Sequence, residues 1–244
     1  MQHERGLAKP HRLLAPAVRY CPTSAHPSSA IGKGVSLWLS FLSGCLVGIF
    51  LGVRWATRRA ALITPPVFAP LLSSRLRLRY RSPQALLRLL APEPTWVVLD
   101  AGCGNGAFAL PLAPHVREVH AVDVQPAMLC ALQRRLEAHR VDNIQARLAP
   151  LTHLPYPDAV FDAALLISVL PMVHDRAGVL SELWRVLKPG AVLLVGEDWL
   201  EPEYVPERTA RAWVTAAGFL AVAAERRWLS YTVKFVKPAA SSCV

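Results

Sequence analysis

Three alternate glycines follow an apolar run in a pattern that is typical of a ligand-binding loop. Gly102, Gly104 and Gly106 lie just after the run 96–99. Glycine allows a tight turn and lets a ligand approach the backbone closely. The pattern G-x-G-x-G differs from the G-x-G-x-x-G of dinucleotide-binding folds, so the loop indicates a small-molecule ligand but is an imperfect fingerprint for NAD.

Two carboxylates accompany this loop. Asp100 opens it, and Asp123 ends the next apolar run along the chain. In a parallel sheet the ends of both runs lie at one edge, where a carboxylate can accept hydrogen bonds from both hydroxyls of a ribose. A glycine loop after one strand and an acid at the end of the next are much more specific together than either is alone.

Two histidines are candidates for a general base. His153 and His174 fall on loops expected on the ligand side, and an imidazole titrates near neutral pH. Each is explained more simply as a surface histidine, so their role stays open. Tyr156 and Trp199 can shape an acceptor pocket, although packing in the core or at the rim explains them as well.

The elements that must position these residues alternate between strands and helices from residue 95 onward. Short apolar runs predict strands at 96–99, 118–123, 143–148, 161–168, 191–195, 219–225 and 231–237, the last two antiparallel. Helical periodicity follows at 107–112, from Pro126, after the capping residue Asp175, and at 207–217. This alternation predicts a doubly wound α/β sheet, in which ligands bind beyond the carboxyl ends of the strands.

Four stretches of this region resemble, in order and spacing, the motifs of class I S-adenosylmethionine-dependent methyltransferases. They are VVLDAGCGNGAFALPLA, EVHAVDVQPAML, LPYPDAVFDAALLISVL and LWRVLKPGAVLLVGE. The likeness covers residues 80–237 and is to the small-molecule branch that includes the quinone C-methyltransferases. It implies a Rossmann-like, seven-stranded, mostly parallel sheet with a reversed last strand, in a domain at 95–244, and S-adenosylmethionine as methyl donor.

The resemblance also implies roles for individual positions. Asp100 and the backbone of Gly102, Gly104 and Gly106 would hold the methionine part of the cofactor. Cys103 and Asn105, in the same loop, are also implied as cofactor-binding residues. The residues implied at the ribose, the adenine and the sulfonium are Asp123, then Val124, Gln125 and Leu151, then Ile167 and Ser168. His174 and His153 are the nearest candidates for catalysis.

Two departures from the family pattern limit these assignments. Pro150 stands where relatives usually carry an acid that contacts the adenine amine. Adenine recognition must therefore rest on Leu151 and backbone groups. Pro171 and Met172 stand where relatives often have paired histidines, which weakens the assignment of any general base.

The net charge of +10 is unevenly distributed. Residues 1–94 carry 13 of the 27 basic residues but only two of the 17 acidic ones, whereas residues 95–244 are close to neutral. A domain without excess positive charge does not track phosphates, so we expect no nucleic acid as partner. The five cysteines include no CxxC pair, which argues against a zinc ribbon or a disulfide framework.

A run without charged residues, 35–53, follows a proline-containing tail at 1–34. Nineteen residues of helix span roughly 28 Å, about the thickness of a bilayer core, so we expect a single transmembrane helix. Arginines after the run place the following domain on the cytoplasmic side by the positive-inside tendency, and an organellar membrane is an open alternative. A buried core helix, a lipoprotein cleavage site before Cys45 and a transit peptide are the rival interpretations.

The segment 54–94 is basic and contains four alternating arginines that end at Arg81. It is either a solvated stretch beside the membrane or a lid that covers the site. Taken together, the sequence predicts a membrane-anchored S-adenosylmethionine-dependent methyltransferase that acts on a small-molecule or lipid-like acceptor. A membrane-associated protein is an alternative acceptor. The competing hypotheses are a non-catalytic membrane scaffold with this fold and, less well supported, an NAD-dependent oxidoreductase.

Overall fold

The computed structural model describes residues 81–201 and 203–239, together with 40, 41, 43–45, 47–49, 51 and 52. The described positions between 40 and 52 are helical and exposed to solvent. Within this described part of the chain, no helix is both long and apolar enough to cross a membrane. The predicted tail 1–34, much of the predicted transmembrane segment 35–53 and residues 54–80 of the basic segment lie outside the described residues.

Residues 81–239 form alternating strands and helices. The strands are β1 (Val97–Ala101), β2 (Glu118–Asp123), β3 (Ile144–Leu148), β4 (Phe161–Ile167), β5 (Leu187–Asp198), β6 (Leu220–Arg227) and β7 (Ser230–Val236). The helices are α1 (Pro83–Leu90), α2 (Ala109–Leu112), α3 (Pro126–His139), α4 (Arg176–Val186) and α5 (Glu207–Ala216), with short 3-10 turns at Ala113–His115 and Leu170–Met172.

The strands form one seven-stranded sheet in the order β3-β2-β1-β4-β5-β7-β6. β1 to β5 run parallel to one another, and β7 is antiparallel to both β5 and β6. The prediction of a Rossmann-like, mostly parallel sheet with a reversed last strand is therefore confirmed. The strand order reverses between β1 and β4, which opens a crevice beyond their carboxyl ends.

Two hydrophobic clusters cover the two faces of the sheet. One packs α1, α2 and α3 against the sheet, and the other packs α4 and α5. Neighbouring residues of β1, Val98 and Leu99, belong to different clusters because side chains alternate along a strand. Both are fully buried, and burial of a side chain such as Leu99 contributes roughly 1.5–3 kcal/mol. The apolar core thus fixes the strands whose ends carry the candidate site.

Several element boundaries differ from those predicted, among them the end of β1 and the start of β5. β1 extends through Asp100 and Ala101, so Asp100 belongs to the strand rather than to the loop. β5 begins at Leu187, where its backbone already pairs with Phe161 of β4, although the charged and turn-forming residues that follow suggested a later start. Pairing with a neighbouring strand overrides the local propensity of these residues.

Helix α1 lies within the segment that the sequence assigns to the basic stretch. The Ser82 side chain caps it by accepting a hydrogen bond from the Ala85 N–H, and Pro83 occupies its first turn. Leu86 and Leu90 are buried in the core beside α2. Residues 81–90 are therefore a packed part of the domain.

Candidate functional site

The glycine loop folds back over the end of β2. The N–H groups of Gly102 and Cys103 both donate to the carbonyl oxygen of Val122, over 2.8 and 3.0 Å. Gly102 has a φ of +77°, and a Cβ at this position would lie 2.5 Å from Cγ2 of Val169. Only glycine allows both this backbone conformation and this close packing. The loop is therefore pressed against the residues that follow β4.

Asp123 ends β2 and fastens the loop with its carboxylate. Its Oδ2 accepts a hydrogen bond from the Gly104 N–H over 2.8 Å, and its Oδ1 accepts one from the Gln125 N–H over 2.9 Å. Burial raises the pKa of Asp123, and these backbone hydrogen bonds oppose that rise. A carboxylate has about four acceptor positions, so Asp123 keeps the capacity to accept from the hydroxyls of a ribose.

Asp100 is an almost fully buried carboxylic acid in β1. Its burial, and then the negative charge of Asp123, raise its pKa to about 7, whereas a hydrogen bond from the Ala109 backbone lowers it. Among the described residues its Oδ2 has no hydrogen-bond partner. A buried acceptor without a donor is costly, and a ligand with a donor or a positive charge would relieve that cost.

A cavity of about 330 Å³ opens at the carboxyl ends of β1, β2 and β4. Eleven of the predicted site residues line it: Gly102, Cys103, Gly104, Asn105, Asp123, Val124, Gln125, Leu151, Ile167, Ser168 and His174. The structure therefore brings together the glycine loop, the acid of β2 and the end of β4, as the strand order requires.

Three predicted site residues do not line this cavity. Asp100 is enclosed within β1, and Gly106 faces α3, where a side chain at position 106 would collide with Leu132. His153 is exposed outside the cavity, near the carboxylate of Glu182. Of the two candidate bases, only His174 lies where it can contact a ligand in this cavity.

Tyr156 also lies away from the cavity. Its ring packs edge-on against His120 and Phe161, with ring centroids 5.1 and 4.9 Å apart. The alternative in which Tyr156 packs in the core is therefore correct. Cys103 is a buried thiol whose pKa is raised well above its ordinary value by burial and by the neighbouring carboxylates, so it is a poor nucleophile.

Several cavity residues were not predicted as site residues from the sequence. They are Ala107, Phe108, Met128, Pro150, Thr152, Val169, Met172, Val173, Val179 and Glu201. Met128 looked like part of the core-facing stripe of α3, and it is indeed fully buried while also reaching the cavity. Glu201 follows β5 by three residues, and its position after a strand end is the only sequence signal that could have identified it.

These features fit the cofactor that the resemblance implies. The orphaned oxygen of Asp100 suits a group that is a donor and carries positive charge, such as an α-ammonium. Asp123 suits a ribose, and the apolar side chains of Leu151 and Met128 suit the face of an adenine. The glycines leave room for a ligand against the backbone.

Comparisons with known proteins agree with this geometry. Residues 99–195 match the family described as a methyltransferase domain. The chain is 33% identical over 111 residues to malonyl-[acyl-carrier protein] O-methyltransferase of Serratia marcescens, covering 46% of this chain and 42% of that protein. It is 40% identical over 114 residues to demethylmenaquinone methyltransferase of Tropheryma whipplei, covering 47% of this chain and 46% of that protein. It thus spans less than half the length of either relative.

A solved structure shares the fold. The crystal structure of a SAM-dependent methyltransferase from Aquifex aeolicus superposes with a TM-score of 0.67 at 22% identity, covering 72% of this chain and all of that one. The matched family spans β1 to β5, which are the strands that carry the glycine loop, Asp123 and Ser168. Residues 99–195 therefore match a methyltransferase domain, and the region shares its fold with a SAM-dependent methyltransferase, which implies S-adenosylmethionine as the cofactor.

Proposed function

We propose that this protein transfers a methyl group from S-adenosylmethionine to a small, largely apolar acceptor. The observation that carries the proposal is a cavity in which residues suited to the cofactor adjoin a largely apolar remainder. The sulfonium of the bound cofactor supplies an electrophilic methyl group, and the protein's share is binding and orientation.

The residues of this chain have distinct parts in that reaction. Asp123 and the glycine loop hold the nucleoside and the methionine part, and the buried carboxyl group of Asp100 lies directly before that loop, where its charge favours a cationic ligand. The apolar walls restrict water, and an acceptor held in line with the methyl group reacts faster because orientation entropy is already lost on binding. His174 is the one candidate base on the cavity wall, and it accepts a proton where the acceptor must lose one.

The nature of the cavity wall supports an apolar acceptor. The lining residues that are not assigned to the cofactor include Phe108, Val169, Met172, Val173 and Val179. Apolar lining with few polar groups is the usual way in which proteins bind small apolar molecules. The polar exceptions are Thr152, His174 and Glu201, which would contact a polar group of such an acceptor.

The rim and the relatives support a lipid-like acceptor in particular. Trp199 and Leu200, which immediately precede Glu201, are 48% and 39% exposed, so large apolar surface lies beside the cavity. One relative acts, by its name, on demethylmenaquinone, and another on malonyl-[acyl-carrier protein]. A quinone or another amphiphile, with an apolar body and one polar ring or head, combines these properties.

We further propose that residues 35–53 anchor the domain to a membrane, with the domain on the cytoplasmic side. The run has no charged residue, and arginines follow it. Its described large apolar side chains are exposed by more than half, namely Phe41, Val47, Ile49 and Leu51. Apolar side chains exposed on a helix are stabilised by transfer into lipid.

A transfer assay on the full chain in detergent tests the catalytic proposal. Purified protein is incubated with methyl-labelled S-adenosylmethionine and a membrane extract, and the label is followed into lipid, protein and water-soluble fractions. Label that enters the lipid fraction, and does so at least ten times more slowly with Asp123→Asn, supports the proposal. Label in the protein fraction points to a membrane-associated protein acceptor. Cofactor binding without transfer to any fraction contradicts catalysis and favours a scaffold.

A further inference from the structure

Ser168 adopts a backbone conformation that non-glycine residues rarely adopt. Its φ is +56°, in the left-handed region, and it lies at the cavity directly after β4. Such a conformation costs about 1–2 kcal/mol for a residue with a Cβ, so surrounding contacts must enforce it. The Ser168 N–H donates to the carbonyl oxygen of Gly196 over 2.8 Å, and its hydroxyl donates to Oδ2 of Asp198 over 3.3 Å.

Asp198 is itself held by a buried arginine. Its carboxylate is fully buried at the end of β5, and its Oδ1 accepts a hydrogen bond from Nε of Arg81. Arg81 is only 3% exposed, and its Nη2 also donates to the carbonyl oxygen of Tyr231 over 3.3 Å. A buried charge of this kind is retained only when an opposite charge and hydrogen bonds compensate it.

Gly196 of β5 leaves room for the guanidinium group of Arg81. A Cβ at Gly196 would lie 2.8 Å from both Nη1 of Arg81 and the carbonyl oxygen of Tyr231. Arg81 directly precedes Ser82, the capping residue of α1, so the start of this helix fixes the arginine backbone. The arginine is therefore built into the domain, although it ends a stretch of alternating arginines that looks solvated in the sequence.

The conformation of Ser168 also determines the contact between the β4 end and the glycine loop. The next residue, Val169, packs so closely on Gly102 that a Cβ on the glycine would not fit. A change of the Ser168 backbone would shift Val169 and release the loop that Asp123 fastens. The chain of contacts thus runs from Arg81 through Asp198 to the cavity wall.

We propose that Arg81 is a positioning residue for the cofactor site, because its ion pair with Asp198 holds Ser168 in the left-handed conformation. The role rests on the proposed function only in that the site binds S-adenosylmethionine. Arg81 does not line the cavity, so it acts through Asp198 and Ser168. It also joins the start of α1 to the site.

A glycine substitution separates this role from a general contribution to stability. Glycine adopts a positive φ without cost, so a chain with Ser168→Gly no longer needs the ion pair to hold this conformation. Arg81→Met is compared with its parent in two backgrounds, the natural chain and Ser168→Gly. Because Arg81→Met alone leaves a buried carboxylate uncompensated, Arg81→Met with Asp198→Leu is made as well, since replacing both partners of a buried pair often preserves folding.

The first measurement is calorimetric binding of S-adenosylhomocysteine to the full chain in detergent. Either Arg81 variant should weaken binding about five- to ten-fold in the natural background, which corresponds to the cost of a left-handed serine. In the Ser168→Gly background the same change should weaken binding less than about two-fold. Equal weakening in both backgrounds would show that Arg81 contributes only general stability and would overturn the proposal.

The second measurement does not need a ligand. Hydrogen–deuterium exchange is followed at the amides of position 168, whose N–H is bonded to Gly196, and of Gly102. The paired Arg81→Met and Asp198→Leu change should speed exchange at both amides about ten-fold or more in the natural background and have little effect with Ser168→Gly. Unchanged exchange in the natural background overturns the positioning role. If the unaltered protein does not bind the cofactor but the variants show the expected exchange pattern, the proposed function is overturned and the positioning role of Arg81 is not.

Discussion

Asp123→Asn is the substitution that most directly tests the assignment of the cofactor site. The two side chains have the same shape, but the amide has one acceptor oxygen and one NH₂ donor in place of two carboxylate oxygens. In the natural protein the two oxygens accept from Gly104 and Gln125 over 2.8 and 2.9 Å. In the variant, one of these N–H groups must face another donor.

The expected loss of affinity can be estimated from these bonds. A hydrogen bond to a charged group contributes about 1.5–3 kcal/mol, and the variant can offer a ribose at most one neutral acceptor. Loss of one such bond and weakening of the other amount to about 2.7 kcal/mol, which is about 100-fold in the dissociation constant. The free energy of unfolding should change far less, because removal of a buried charge whose pKa is raised offsets the lost backbone bond.

The assay is calorimetric binding of S-adenosylhomocysteine to the full chain in detergent, beside denaturant unfolding. Asp142→Asn is the matched control, since Asp142 is exposed before β3 and undergoes the same change of charge. We expect Asp123→Asn to bind about 100-fold more weakly than the natural protein. The control should bind with unchanged affinity. An affinity within two-fold of the natural protein, in a variant of unchanged stability, would refute the placement of the ribose at Asp123.

Three further predictions concern stability, pH and the acceptor. Gly106→Ala should lower the free energy of unfolding by about 2–4 kcal/mol in denaturant titrations, because it combines a positive φ with a collision against α3. Gly190 also has a positive φ but faces open space, so Gly190→Ala should lower the free energy of unfolding by only about 1 kcal/mol. Asp100, with its pKa raised to about 7, binds its proton more tightly in the folded state, so its contribution to stability is present below pH 4 and is lost as the pH rises to about 7. Asp100→Asn should remove this decline in stability. An identical pH profile of stability for both proteins would show that Asp100 does not cause it. Trp199→Ala should raise KM for an amphiphilic acceptor about ten-fold at unchanged cofactor affinity. Trp228 is 92% exposed in the β6–β7 turn, so Trp228→Ala should leave KM unchanged. Equal effects of the two substitutions would show that the cavity rim has no special role.

The sequence predicted the sheet and the position of the glycine loop because both follow from local patterns. Short apolar runs define buried strands, and strand alternation with helices leaves few possible sheet orders. The carboxyl ends of β1, β2 and β4 then meet at one edge, which brings Gly102, Asp123 and Ser168 together. No tertiary detail is needed for this inference.

The contacts that depend on distant partners could not be predicted. Arg81 pairs with Asp198, 117 residues later in the chain, and nothing in the local sequence distinguishes it from the arginines before it. Gly106 looked like a ligand-binding glycine, but its space is taken by Leu132 of the next helix. Both outcomes depend on how side chains pack between elements, and single-sequence patterns do not encode that packing.

The charge of the cavity bears on the choice between S-adenosylmethionine and NAD. The described residues that line it include the carboxylates Asp123 and Glu201, and among them there is no Lys or Arg. Asp100, just behind the loop, adds a third acidic group whose pKa is already raised by burial and by Asp123. A pyrophosphate would bring negative charge close to these acids without a cationic side chain to compensate it, which is unfavourable where water is restricted. The ammonium and sulfonium of S-adenosylmethionine bring positive charge instead, and an ammonium beside Asp100 would favour its ionised form. The same acids that disfavour a dinucleotide therefore favour the cationic methyl donor.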